Sequence, residues 1–298
     1  MMYNPQIKTF IEVADAGSFN RAAEKMFITP SAVIKQINLL ENSLGLVLFE
    51  RTHRGLVLTP AGQSLYKDCR YIISYCEESV ARARNAELER DDIIRIGTSL
   101  MTPPKFLVEI WPRIHGYCPD IKFQFVPFDN TPERAREILG NLGTNFDIVA
   151  GIYDEAMLAL HGCAAMFMSD EPVCCAVSVD SPLAGKEMLE MSDLEGQELL
   201  LMRRGWSRYV DDVRDDLMAN HPSVRITDFD FYDVNVFNRC EQEGCLLMAI
   251  AKWEDVHPLL KILPVRWKHH IPFGILHAPS PSAKVRKLLD ALEQIRKS

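Results

Sequence analysis

The stretch from Ser18 to Arg51 constrains the fold of this chain more than any other segment. Its second half predicts a helix with one buried stripe, because apolar residues recur at i, i+4, i+7 and i+11. These residues are Val33, Ile37, Leu40 and Leu44. The opposite face carries small, amide, aliphatic and basic side chains, namely Ser31, Ile34, Lys35, Asn38 and Asn42. Such a face can enter the major groove of DNA, although a helix of a small bundle shows the same periodicity, so both interpretations stay open here.

Two shorter helices precede this one. A first helix is predicted over residues 5–16, and Gly17 suits the left-handed residue that ends it. Ser18 is predicted to cap a second helix. Thr29 is predicted to cap the third helix, and Pro30 to occupy its first position, where a missing N–H costs nothing. Together these signals indicate a helix-turn-helix.

A β-hairpin is predicted directly after the third helix. Two short apolar runs between Leu46 and Leu58 flank a turn of four residues. His53 and Arg54 lie at the tip of the hairpin, and Arg51 lies at its base. A solvated turn explains these charges, but beside a DNA-reading helix the same tip can reach a phosphate or the minor groove.

Residues 1–65 resemble the winged helix-turn-helix of LysR-type transcriptional regulators. Many positions match without a gap: Gly17-Ser18-Phe19, Ala22-Ala23, Thr29, Ser31-Ala32, Ile37, Leu40-Glu41, Leu44-Gly45, Leu48-Phe49, Arg51, Gly55, Leu58-Thr59 and Ala61-Gly62. The resemblance implies binding to double-stranded operator DNA through a set of residues on the helices and the wing. These are Ser18, Thr29, Pro30, Ser31, Ile34, Lys35, Asn38, Arg51, His53 and Arg54.

The chain departs from the usual family pattern at positions where bases would be read. Pro30-Ser31 stands where the family often has Gln-Pro, Ile34 replaces a common Ser, and Lys35 replaces a frequent Arg. An exposed Ile34 would suit contact with a thymine methyl group. We expect these departures to bear on which operator is bound.

A long helix is predicted from Pro60 to about Glu87, and at 1.5 Å per residue it would be about 40 Å long. Apolar residues along it recur at a spacing close to 3.5, which suits helix-on-helix packing. The resemblance implies a dimerisation helix, and the predicted contact residues are Leu65, Cys69, Ile72, Cys76 and Val80.

The formal net charge of −8 is unevenly distributed. Residues 1–62 hold six Lys or Arg and five Asp or Glu, a net of +1, and the rest of the chain holds the acidic excess. A DNA-binding region with so small a positive charge would bind DNA weakly as a monomer. We therefore expect a dimer. The family resemblance implies that dimers pair into a tetramer, and it adds RNA polymerase as a candidate partner.

The chain is expected to stay in the cytoplasm, without a membrane association. It shows neither a signal peptide nor an apolar run long enough to cross a bilayer. Eight cysteines occur without a C-x-x-C pair, so we predict reduced core thiols and no metal site. No cofactor is expected.

The remainder of the chain predicts an α/β body. Strands alternate with helices twice over, which implies parallel crossovers and a helix-covered sheet. This pattern resembles the bilobed effector domain of the same family, with two Rossmann-like subdomains. The expected domains are residues 1–58, 59–90 and 91–298; lobe I comprises residues 91–168 and 265–298, and lobe II comprises residues 169–264, with hinges near Ser169 and Pro264.

A ligand is expected beyond the carboxyl ends of the strands, beside helix N-termini. That rule selects Ser99, Met101, Thr102, Phe128, Arg203, Arg204, Trp206 and Asn235 as effector-binding residues. Hydroxyls, N–H groups and arginines suit a small organic anion, and Trp206 would cover its apolar body. A solvated loop explains Arg203 and Arg204 equally well.

The alternative is a cytoplasmic solute-binding or catalytic α/β protein with an N-terminal helical module. The chain lacks G-x-S-x-G, a P-loop and a G-x-G-x-x-G turn after a strand, and so we expect no enzyme. A solute-binding module leaves the first 60 residues unexplained. The sequence therefore favours a DNA-binding regulator controlled by a small molecule.

Overall fold

The computed structural model describes residues 2–52, 55–87 and 92–297. Contacts within the chain divide it into an N-terminal unit, residues 1–89, and a C-terminal unit, residues 90–298. The mixed α/β class and the winged helix-turn-helix that the sequence predicts are both confirmed.

The N-terminal unit contains four helices and one hairpin among the described residues. In chain order these are α1 Pro5–Ala16, α2 Phe19–Met26, α3 Pro30–Leu44, β1 Phe49–Thr52, β2 Gly55–Leu58 and α4 Pro60–Glu87. The helix ends agree with the sequence prediction because left-handed residues fix them. Gly17 and Gly45 have φ values of 61° and 67° and end α1 and α3.

The core of the N-terminal unit forms where the three short helices cross. Ala22 and Ala23 of α2 are buried, and their small side chains let the neighbouring helices approach closely. The predicted stripe of α3 is confirmed at Val33, Ile37 and Leu40. It is wrong at Leu44, which is 44% exposed because it is the last residue of the helix.

The N-terminus of α3 has the predicted cap, whereas that of α2 lacks it. Thr29 Oγ1 accepts a hydrogen bond from the Ala32 N–H at 3.3 Å. Ser18 occupies the N-cap position of α2, but its hydroxyl makes no capping hydrogen bond. The predicted side-chain cap at Ser18 is therefore wrong, and only its position is right.

Glu41 fixes the wing to the third helix. Its Oε1 accepts hydrogen bonds from the N–H groups of Leu48, at 2.6 Å, and Phe49, at 3.2 Å. On the other side, the Leu56 N–H of β2 donates to the Gly17 carbonyl at 3.3 Å. The hairpin is thereby held at both strands against the helices.

The predicted dimerisation stripe of α4 is corrected at its first two positions. Cys69 is 2% exposed and packs with Leu65 in the core of its own unit, because the first turns of α4 lie against α1. Farther along the helix Ile72 is 39% exposed, beside the exposed and mutually stacked rings of Tyr71 and Tyr75. The available apolar surface thus lies farther along α4 than the sequence predicted.

The C-terminal unit continues the numbering with nine strands and seven α-helices among the described residues. They are β3 Ile93–Thr98, α5 Lys105–Tyr117, β4 Lys122–Pro127, α6 Pro132–Gly140, β5 Ile148–Ile152, α7 Glu155–His161, β6 Ala164–Ser178, α8 Met191–Leu194, β7 Glu198–Met202, α9 Arg208–Asn220, β8 Arg225–Phe229, α10 Val234–Glu243, β9 Leu246–Ile250, β10 Leu260–Pro264, β11 His270–His277 and α11 Ala283–Lys297. The sequence missed α7, α8, β10 and the first half of β6. Across the described residues, no helix is both long and apolar enough to traverse a bilayer.

Two long strands join the lobes of this unit. The sheet order is β4-β3-β5-β11-β6-β9-β7-β8, with β10 also paired to β6. The parallel sets β3–β5 and β7–β9 form lobes I and II, and the antiparallel strands β6 and β11 run between them. Ser169, where a hinge was predicted, lies inside β6 opposite Phe273.

The two N-cap positions give a test of the local geometry. Thr29→Ala removes the bond to the Ala32 N–H, and we expect it to cost about 1 kcal/mol of stability in the N-terminal unit. Ser18→Ala removes no capping bond and should cost about 0.5 kcal/mol or less. Urea unfolding of the full chain, with hydrogen exchange of the α3 amides, measures both. Equal losses in the two variants would contradict this assignment.

Candidate functional site

The outward face of α3 presents polar side chains in a single row. Ser31, Lys35 and Asn38 are exposed, and they fall at i, i+4 and i+7, so they share one side of the helix. Ile34 is half-buried beside them, whereas the sequence placed it fully outward. Ser31 Oγ lies 3.1 Å from Thr29 Oγ1 at the start of the helix. This face is the candidate nucleic-acid interface.

The inner face of the same helix is held by polar contacts as well as by the core. Thr9 of α1 donates a hydrogen bond to Gln36 Oε1, and Glu41 receives the two N–H groups of the wing. A helix held at two positions presents its outer side chains in a fixed register. That rigidity is what base-specific contacts require.

The wing contributes one described cation to this side of the unit. Arg51 is exposed, and its guanidinium carbon lies 5.9 Å from the ring centroid of Phe19. Pro30 is exposed as the first residue of α3, and Ser18 is half-buried at the start of α2. His53 and Arg54, the predicted tip residues, lie outside the described residues.

A second candidate site is a cavity of about 130 Å³ between the lobes of the C-terminal unit, called here the inter-lobe cavity. Lobe I lines it with Met101, Thr102, Phe128, Asn130, Ala135, Ile138, Leu139, Val149, Gly151, Ile152, Met157 and Leu276. Lobe II lines it with Met202, Trp206, Phe231, Tyr232 and Trp253. The wall is predominantly aliphatic and aromatic, as in sites for small organic ligands.

Five of the eight predicted effector residues lie at this cavity. Met101, Thr102, Phe128 and Trp206 line it. Ser99 lies directly behind the wall, where its Oγ is 2.9 Å from Thr102 Oγ1. The rule that ligands bind beyond the carboxyl ends of strands, called here the strand-end rule, selected these positions correctly. Their role in binding stays a prediction.

The other three predicted residues are placed elsewhere, and the sequence-based placement is corrected. Arg203 pairs with Asp230 and Arg204 pairs with Asp215, all four side chains being exposed. In each pair the hydrogen bond lowers the pKa of the aspartate and raises the pKa of the arginine. Both guanidiniums are therefore paired with carboxylates of the same lobe at the surface, and neither arginine lines the cavity.

Asn235 is likewise outside the inter-lobe cavity. It is exposed on α10, and its Nδ2 donates to Asp233 Oδ2 at 3.0 Å. Asp233 is the N-cap of α10, so Asn235 lies in the first turn of that helix and supports its own cap. The helix start was found correctly, but it faces a different groove.

Sequence reasoning missed the residues that close the cavity. Asn130 Nδ2 donates to the Tyr232 carbonyl at 2.5 Å, and Trp253 Nε1 donates to the Met101 carbonyl at 3.1 Å. Each bond joins lobe I to lobe II. Asn130 follows the end of β4, a position that the strand-end rule would have selected, but nothing local marks Trp253.

Tyr232 is the centre of an aromatic cluster in the wall of the cavity. Its ring lies 4.7 Å from that of Phe229 and 4.8 Å from that of Trp253, and its hydroxyl donates to the Met248 carbonyl at 2.8 Å. Burial raises the pKa of this hydroxyl, which therefore stays protonated. Tyr232 forms a rigid and uncharged part of the wall.

A buried carboxylate makes a third connection between the lobes. Asp154 accepts hydrogen bonds from the N–H groups of Met157, at 2.7 Å in α7, and Arg208, at 3.2 Å in α9. One side chain thus serves the N-termini of two helices from different lobes, where negative charge is favoured.

Both parts of the chain match known families. Residues 5–63 match the bacterial regulatory helix-turn-helix proteins of the lysR family, and residues 89–296 match the LysR substrate binding domain. An HTH-type transcriptional repressor of Pseudomonas aeruginosa (strain UCBPP-PA14) is 27% identical over 230 residues, which are 74% of this chain and 70% of that protein. The HTH-type transcriptional regulator ClcR of Pseudomonas putida is 43% identical over 81 residues, which are 27% of this chain and 28% of ClcR.

The fold is similar to that of CbnR, a LysR family transcriptional regulator. Its crystal structure aligns with a TM-score of 0.59 at 18% identity and covers 100% of both chains. Full-length CbnR complexed with its target DNA aligns with a TM-score of 0.57, also at 18% identity, over 98% of this chain and 99% of that one. At this identity the likeness establishes a shared fold.

The cysteines occupy the core. All eight are unbridged, and all except the half-buried Cys76 are buried. Within the described residues, no group of three His, Cys, Asp or Glu side chains is placed to hold a metal ion. Burial raises the pKa of Cys174 to about 11, so this thiol stays protonated at neutral pH.

Thiol alkylation tests this placement. At pH 8 we expect iodoacetamide to leave Cys174 unmodified in the native chain, because Cys174 is buried and its pKa lies about three units above that pH. Peptide mass spectrometry measures this site, and the same reaction in denaturant provides the control with all eight thiols accessible. Modification of Cys174 in the native chain at the rate seen in denaturant would refute the assigned burial.

Proposed function

The chain belongs to the LysR family of bacterial transcriptional regulators, and from this premise we propose how it reads DNA and where it takes its effector. The exposed row on α3 reads a duplex operator in the major groove, and the wing contacts the backbone beside it. A small molecule in the inter-lobe cavity modulates that binding. The predicted division into residues 1–58, 59–90 and 91–298 is retained as part of the proposal.

The outer face of α3 is the observation that carries the DNA-binding role. Ser31, Lys35 and Asn38 offer donors and acceptors of the kinds that bind base edges, on a helix whose opposite face packs in the core of the N-terminal unit. CbnR has the same fold, and its full-length structure was solved in complex with its target DNA, which supports the proposal. We propose that Arg51 adds a backbone contact, and the same role for His53 and Arg54 stays a prediction.

We place the dimer contact on the middle of α4. Tyr71, Ile72 and Tyr75 form an exposed apolar surface there, followed by the half-buried Cys76 and Val80. A dimer would carry two N-terminal units and therefore twice the number of phosphate contacts. This would strengthen binding, because the net charge of a single unit is close to zero. Association into a tetramer, contact with RNA polymerase and the absence of catalysis stay predictions.

Effector control is assigned to the lobes of the C-terminal unit. The bonds from Asn130 to Tyr232, from Trp253 to Met101 and from Arg208 to Asp154 all cross between them. A molecule that binds among these contacts favours one angle between the lobes over others, and binding energy that differs between two states shifts their populations. We propose that this shift alters the spacing of the two N-terminal units of a dimer on the operator.

Selection from random duplex DNA tests the reading surface. The full chain should enrich a defined sequence, and Lys35→Ala should weaken the preference at one base-pair position by about 1–3 kcal/mol. Lys8→Ala is the matched control, because Lys8 is an exposed lysine of α1 outside the proposed interface. It should leave the enriched sequence unchanged.

Two results would overturn the assignment. Selection of no sequence by the full chain, at any salt concentration, would remove the regulator proposal. An enriched sequence that is the same for wild type, Lys35→Ala and Lys8→Ala would remove α3 as the element that reads bases.

A further inference from the structure

The wall of the inter-lobe cavity offers no countercharge to an anion. Among the described residues that line it, none is a Lys, Arg, His, Asp or Glu. Arg203 and Arg204, the cations that the sequence assigned here, are bound to Asp230 and Asp215 at the surface. A carboxylate buried against this wall would lose its hydration without gaining a cationic partner.

Two of the helix N-termini around the cavity are already occupied by acceptors of the protein itself. At the start of α9, the Arg208 N–H donates to the carboxylate of Asp154. Thr131 Oγ1 caps α6 by accepting the Arg134 N–H at 3.2 Å. A ligand anion at either of these helix starts would have to compete with those oxygens.

A chain of hydrogen bonds fixes the polarity of the Thr102 hydroxyl. Asn130 Nδ2 donates to the Tyr232 carbonyl, which orients the amide so that Oδ1 points to Ser99. Ser99 Oγ donates to this Oδ1 at 3.3 Å. The proton shared by Ser99 and Thr102, whose oxygens are 2.9 Å apart, must then come from Thr102. Thr102 is left with lone pairs and acts toward a ligand as an acceptor.

The size and lining of the cavity set the rest of the ligand. A volume of about 130 Å³ is close to that of the roughly 150 Å³ apolar cavity that holds a benzene molecule. Phe128, Trp206, Tyr232 and Trp253 supply aromatic faces and edges. Such a wall suits a single flat ring.

We propose that the inter-lobe cavity binds a neutral one-ring aromatic compound with a hydroxyl group, that is, a phenol. The ring packs among the aromatic side chains, and its hydroxyl donates a hydrogen bond to Thr102 Oγ1. This inference rests on the proposed function, in which the effector occupies this cavity. It replaces the organic anion that the sequence alone suggested.

Three one-ring probes separate the chemical features. Phenol carries the donor, toluene replaces it with a methyl group, and benzoate carries a charge. Isothermal titration of the full chain should give the tightest binding with phenol. Benzoate should bind at least about tenfold more weakly, because no cationic side chain among the described lining residues offsets its charge. Benzoate binding as tight as that of phenol would overturn the proposal.

Thr102→Val tests the hydrogen bond itself. The substitution keeps the shape and removes the acceptor, so the ratio of phenol affinity to toluene affinity should fall about tenfold. Toluene should bind the variant as well as it binds wild type, which also verifies that the variant is folded. Thr227→Val, a half-buried strand threonine away from the cavity, should leave the ratio unchanged. An unchanged ratio in Thr102→Val would contradict the assigned acceptor.

A cavity-filling variant separates failure of the ligand class from failure of the site. Ala135→Leu places three more carbon atoms in the cavity and should abolish the binding of phenol and toluene. If benzoate binds tightly in wild type and Ala135→Leu abolishes it, the site stands and the phenol class is wrong. If Ala135→Leu leaves binding intact, the ligand lies elsewhere and the placement in the proposed function fails. Binding of none of the three probes to wild type would overturn the phenol class.

Discussion

The hydrogen bond from the Asn130 amide to the Tyr232 carbonyl is the contact on which the ligand site depends. It closes the inter-lobe cavity by joining the lobes, and it fixes the orientation of the amide. That orientation sets the direction of the protons through Ser99 to Thr102 and hence the polarity of the wall. Asp154 and Trp253 add further connections between the same lobes. The angle between the lobes and the chemistry of the cavity are thereby coupled through a few polar contacts.

The N-terminal unit likewise depends on a small number of polar contacts. Glu41 lies on the same helix as Lys35 and Asn38, and its carboxylate receives the N–H groups that begin the wing. A single helix thus carries both the proposed base-reading face and the anchor of the hairpin. The opposite side of that helix is buried against α1 and α2, so the exposed residues are not needed for packing and are available to recognise a particular operator.

Much of this architecture was predictable, because local signals fixed it. Gly17, Thr29 and Pro30 act through backbone conformation and capping within a few residues, and the boundaries they predict for α1 and α3 agree with the structure. The features that the sequence did not predict depend on contacts between residues that are distant in the chain. Arg203 follows a strand end just as Trp206 does, but Asp230, which is distant in the sequence, holds its guanidinium outside the cavity. Cys69 fits a dimerisation stripe by spacing, and only the packing of α4 on its own unit reveals that it is buried.

The central claim is that occupancy of the inter-lobe cavity is linked to operator binding. The most direct measurement is the affinity of the full chain for its selected operator as phenol is titrated, in wild type and in Ala135→Leu. Linkage requires that a ligand with different affinities for the free and DNA-bound forms changes the DNA affinity by the same factor, typically about 5–150-fold. We expect a saturable change of this size in wild type and none in the cavity-filled variant. The same DNA affinity at every phenol concentration in wild type, or an equal change in both proteins, would contradict the proposed linkage.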